Sequence, residues 1–178
     1  MCTSESTVPR SVADALRMAH ASMDYLNSPA AGDLPTAACG QALTALGEIH
    51  AKFTAARVAL LRRFDALDGH DGDGYGTSAA WLAAMAKMAK KDARATVGQM
   101  RRLGGRRLLE DALARGEISE SWAAEILDRT RKLPAEMRGE TDRILLEAAA
   151  RRAGASARPW PSRPSSPSWP SRLATPPT

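Results

Sequence analysis

Aromatic residues are scarce: the 178 residues hold two Phe, two Tyr and four Trp. Val, Ile, Tyr, Phe and Thr never alternate over a useful run, which removes the usual signature of a half-buried strand. Cysteine is limited to Cys2 and Cys39, too few for a disulfide framework, and two free thiols in a reduced, cytoplasmic protein are expected. The start, MCTSESTVPR, is polar and lacks the apolar stretch of a signal peptide. No apolar run approaches the roughly 20 residues of a membrane span, so no membrane partner is expected. Acid is missing altogether after Glu147.

That last absence locates the net charge of +5. Residues 1–147 carry 20 Lys+Arg and 20 Asp+Glu and sum to zero; the excess is Arg151, Arg152, Arg158, Arg163 and Arg172. A basic isoelectric point therefore says little about nucleic acid, which has to be argued from local charge. What the chain has in quantity is alanine, 35 residues, and arginine, 20 against 5 lysines. Together these predict an all-α protein of one domain: an irregular helical bundle over residues 10–153, after a disordered start at 1–9.

The helical periods run in order. Val12, Leu16, Ala19, Met23 and Leu26 form one stripe, with Ser11 as N-cap. Ser28, Pro29, Gly32 and Pro35 break the chain. A long amphipathic segment from Thr36 to Leu67 then repeats Leu46, Ile49, Phe53, Ala56, Leu60, Phe64 and Leu67 at steps of three or four. This seam is expected to cover the first helix or to pack as a coiled coil, with self-association as one outcome. His20 and His50 are singletons on these helices, and no metal role is expected for either.

Residues 68–76, Asp-Gly-His-Asp-Gly-Asp-Gly-Tyr-Gly, invite a calcium-loop reading. The spacing rejects it: counting from Asp71 puts Tyr75 fifth and Leu82 twelfth, and counting from Gly69 loses the first ligand and ends on Ala80. A flexible, helix-breaking turn is the expectation. Thr77 or Ser78 caps the next helix, SAAWLAAMAKMAKK, whose inward stripe is Trp81, Met85 and Met88. Asp92 caps the following one, DARATVGQMRRL, with Thr96 or Val97, Met100 and Leu103 facing in.

Between Lys87 and Arg107 lie Lys87, Lys90, Lys91, Arg94, Arg101, Arg102, Arg106 and Arg107, against Asp92 alone. Two short helices with a basic second member fit a helix-turn-helix outline, in which these eight residues neutralise DNA phosphates. A solvated basic face is the commoner reading of such a run. Beyond them, Leu108, Leu109 and Leu113 mark a helix closed by Gly116. Ser119 caps another helix with Trp122 or Ala123, Ile126, Thr130 and Leu133 inside. Pro134 opens a last one with Met137, Thr141, Ile144, Leu145 and Ala148 inside.

From Gly154 to Thr178 the composition changes: the segment holds 7 of the 11 prolines and 2 of the 4 tryptophans. Such a sequence cannot build a core and is expected to be disordered. Its PxxP spacings are a low-specificity match to proline-reading domains. The repeated Trp-Pro pairs suggest an out-of-frame reading of a GC-rich gene, since a Leu-Ala codon pair shifted by one base reads as Trp-Pro.

The long Ala/Leu/Arg helix, Gly-Tyr-Gly before Ser-Ala-Ala-Trp-Leu, Ala-Arg on the basic helix and Gly-Glu-Ile-Ser opening the next helix occur in that order. In them the chain, over about residues 36–150, resembles the domain-of-unknown-function 222 family, also called the 13E12 repeat family. The resemblance implies a helical domain that in longer members is joined to an HNH-type, metal-dependent nuclease. No Asn-His or His-His pair and no CxxC pair offers positions for that nuclease's residues. The expectation is a truncated or free-standing member: a non-catalytic, DNA-associated helical module with no cofactor, no metal and no small-molecule substrate. The rival is a helical protein-interaction or oligomerisation module without a nucleic-acid role.

Overall fold

The computed structural model describes residues 8–156. Most of the start expected to be disordered, and the proline-rich segment from residue 157 on, lie outside the described residues. Seven α-helices and two single 3-10 turns make up the described part, without a strand, so the all-α expectation is met. The final helix runs on to Ser156, three residues past the expected boundary. The chain divides into two compact units at Leu46 and Gly47.

In the first unit, α1 (Val12–Leu26) starts where Ser11 Oγ accepts the N–H of Asp14 at 3.0 Å. Asn27 closes it, its N–H and side-chain amide both donating to the Met23 carbonyl. A 3-10 turn at Pro29–Ala31 leads into α2 (Thr36–Ala66). Within this unit α1 buries no residue, and Val12, Leu16 and Leu26 are exposed.

The second unit contains the remainder of α2, then α3 (Ser78–Met85), α4 (Lys90–Leu103), α5 (Arg107–Arg115), α6 (Glu120–Thr130) and α7 (Ala135–Ser156). Its core joins Val58 and Leu61 of α2 to Leu82, Val97, Met100, Leu103, Leu109, Leu113, Ile126 and Leu127.

The face that α2 turns inward differs from the expected seam. Ala51, Thr54, Val58 and Leu61 are buried, whereas Ile49, Phe53, Leu60 and Leu67 are 47 to 70 % exposed. The αL glycine that ends α5, Gly116, sits where an added Cβ would lie 3.1 Å from Lys52 Cε and 3.3 Å from Glu48. Thr54, fully buried, donates its hydroxyl to Glu120 at the start of α6 at 3.1 Å, so a polar side chain enters this interface without an unmet bond. Arg62 adds a two-pronged pair with Glu110 of α5, at 2.7 and 3.2 Å; that hydrogen bond raises the Arg62 pKa further above its usual value.

Other expected inward faces are met in part: Trp81, Met88 and Leu145 pack against the core. Met85 of α3, Leu108 of α5, and Met137 and Ile144 of α7 are exposed. Leu82, Asp142 and Ala149 are buried in α3 and α7, while Leu109 and Leu113 of α5 are buried as expected. The expected inner faces of α4 (Thr96, Val97, Met100, Leu103) and of α6 (Ala123, Ile126, Thr130) are found buried.

Residues 68–76 break the helix as expected, but they are packed down onto it. Asp68, at φ 48°, and Gly69 close α2 by donating to the carbonyls of Asp65 (3.3 Å) and Phe64 (2.9 Å), a Schellman arrangement with an aspartate in the left-handed position. Gly69 is required there because a Cβ would lie 2.5 Å from the Phe64 ring. That ring lies 4.6 Å from Trp81 of α3, whose indole N–H donates to Asp73 at 2.6 Å. The segment thus ties α2 to α3.

Candidate nucleic-acid interface

Thr77 caps α3 by accepting the N–H of Ala80 at 3.1 Å. The helix ends at Met85, earlier than its apolar period suggested, because Ala86–Ala89 form a connection in which Lys87 adopts φ 53°. A lysine, not a glycine, supplies the left-handed residue between the two helices, at some conformational cost. Helix α4 begins at Lys90 after Ala89, with no side-chain cap. Asp92, expected as the cap, lies instead in the first turn, where its charge opposes the positive end of the helix dipole.

Helical geometry sorts the basic residues. With Ala93, Thr96, Val97, Met100 and Leu103 buried, Lys90, Lys91, Arg94, Arg101 and Arg102 fall within an arc of about 120° on the opposite side, and all five are exposed. Lys87 in the connection and Arg107 at the start of α5 are exposed as well. Seven of the eight sequence-nominated cations therefore lie at the surface. Among the described residues only Arg101 of these seven has an ionic partner, Asp65 at 3.6 Å.

Arg106 is the exception. It is 9 % exposed, and its guanidinium grips Asp142 of α7, itself 2 % exposed, with Nε to Oδ2 at 2.7 Å and Nη2 to Oδ1. Nη2 also donates to Thr130 Oγ1 of α6 at 2.6 Å, and that hydroxyl donates to the Ile126 carbonyl at 2.7 Å. The arginine that read as part of a phosphate-binding run is a fixed joint among α5, α6 and α7. Its Nε and Nη2 donors are committed inside the fold, and with the side chain buried it does not join the exposed cations of α4.

Beside Arg94 and Arg101 lies a depression of about 530 Å³ that also takes in Asp65, Asp68, His70, Gly98 and the first residues of α3. Ser78, nearly fully buried, donates to Asp65 Oδ1 at 2.6 Å and lies 3.4 Å from His70 Nδ1. Sequence reasoning missed Asp65 and Ser78, which are thirteen residues apart and share no motif. Asp142, thirty-six residues from Arg106, was equally out of reach of local pattern. The arrangement offers exposed guanidinium and ammonium donors along one helix, suited to anionic oxygens.

Among the described residues no three His, Cys, Asp or Glu side chains converge to hold a metal ion. No helix there is long and apolar enough to cross a membrane. No family model, curated protein or solved structure matches the chain.

Proposed function

We propose that residues 36–150 act as a non-catalytic, DNA-associated helical module of the 13E12 repeat (domain-of-unknown-function 222) type, of the kind joined to HNH nucleases in longer proteins. Helix α4 meets the phosphate backbone through Lys90, Lys91, Arg94, Arg101 and Arg102, with Lys87 and Arg107 at its two ends. The observation that carries this reading is the gathering of five cations on one exposed arc of α4 while its other side is core. Counter-ion release makes such a contact strongly salt-dependent. Titration of labelled duplex DNA at two salt concentrations, with the chain intact and with residues 157–178 removed, tests it. The expected result is affinity that survives removal of the tail and falls steeply with salt; binding that vanishes with the tail sinks the assignment to α4.

A second reading has its own observation. Ile49, Phe53, Leu60 and Leu67 leave a row of large apolar side chains exposed along α2, and such rows in long helices are commonly covered by another helix. On this reading the module self-associates through α2 and has no nucleic-acid role. Sedimentation at rising concentration tests it, because a strict monomer is incompatible with it.

A further inference from the structure

Gly98 is a helix-interior glycine that nothing inside the fold calls for. It lies mid-way along α4 in the ordinary helical region, since the positive-φ glycines are Gly74, Gly105 and Gly116. A Cβ built on it meets a single side chain within 4 Å, Arg102 Nη1 at 3.9 Å, which is ordinary contact. No neighbouring backbone or core side chain needs the space. Glycine at such a position weakens a helix relative to alanine. Its surroundings are specific: Arg94 is one turn before it, and Arg101 and Arg102 are three and four residues after it, all on the same face. Gly98, Arg94 and Arg101 also line the same 530 Å³ depression.

We propose that Gly98 is a close-approach point, at which the sugar-phosphate backbone of duplex DNA comes against the α4 main chain and one phosphate is held between Arg94 and Arg101. Removing a side chain from the centre of a cationic face lets a bulky anionic strand reach the guanidinium groups on either side. The two acids of the depression belong to α2 and its end, not to the α4 face that carries the arginines. Asp65 is engaged by the Ser78 hydroxyl at 2.6 Å and faces Arg101 at 3.6 Å, so it orients that arginine. Asp68 is exposed at the end of α2. Arg94 has no ionic partner among the described residues and is available to a phosphate. The inference rests on the DNA reading above and deepens it by naming where the strand sits.

The test uses a substitution for which fold and binding respond in opposite directions. In the full chain, Gly98→Ala raises Tm by about 2–5 °C. It weakens binding of a labelled duplex about tenfold and lowers the log–log salt slope by about one, the loss of one phosphate contact. Gly98→Met weakens binding further, while Ala114→Met, of equal bulk on the exposed side of α5, leaves it unchanged. Gly98→Ala that binds the duplex as tightly as the parent overturns the inference alone. A loss of affinity accompanied by a lower Tm also overturns it, because the glycine would then serve the fold. A parent chain that shows no salt-dependent DNA binding overturns the DNA reading together with the inference.

Discussion

Arg102 and Arg106 are four residues apart in one basic run, and the structure gives them opposite lives. Arg102 stands on the exposed face of α4 with no ionic partner among the described residues. Arg106 is buried, two-pronged on Asp142 and bonded to Thr130. The run bends at Gly104-Gly105, where Gly105 takes φ 81° and ends α4, so residues after the bend face a different environment. A count of charges along a sequence measures neither field nor availability. Only the exposed members contribute to a surface potential, and a buried ion pair is spent on holding elements in register.

The largest effect is expected at Asp142. Asp142→Ala leaves the Arg106 charge buried without its partner and is expected to cost about 3–5 kcal/mol of stability, read as a lower urea midpoint. Arg102→Ala is expected to stay within about 0.5 kcal/mol of the parent; equal losses for the two variants would erase the distinction. A smaller effect is expected at the connection between α3 and α4. Lys87→Gly relieves the φ of 53° and should stabilise the chain by about 0.5–1 kcal/mol in the same urea assay. No gain would mean that the lysine makes up its backbone cost elsewhere.

The smallest effect separates both arginines from those paired only at the surface. Hydrogen bonds from Arg115 and Arg143 hold the Glu117 and Glu140 carboxyls below their usual 4.5. Unfolding returns both groups to the ordinary value, so the stabilisation is complete above about pH 4.5 and is lost as pH falls through the lowered folded values. Screening at exposed sites keeps it small. Tm should therefore slip slightly on acidification below the ordinary carboxylate range, and less so in the Glu117→Gln, Glu140→Gln double variant. An identical acid response in that variant would assign the slope to other groups.

Helix starts were legible because capping is local. Ser11, Thr77 and Ser119 each accept an N–H three residues on, as their sequence positions imply. Gly116 ends α5 in the left-handed region for the same reason. The inner face of α4 was legible because its other side is almost entirely charged, leaving one way to turn it. On α2 the alanine-rich sequence offers two apolar faces. Side-chain size favours the face of Phe53 and Leu60, whereas the fold buries Ala51 and Thr54, and Thr54 meets the Glu120 carboxylate at the start of α6. Lys87 in a left-handed turn was illegible because lysine carries no turn signal.

That the chain is helical, where most of its helices begin, and that a basic helix follows a short apolar one are legible in the residues alone, since these depend on contacts within a few residues. Which face of α2 is core, and that Arg106 belongs to Asp142 and Thr130, follow from the tertiary fold. Those outcomes depend on side-chain volume and on partners tens of residues away, and neither is encoded in local period.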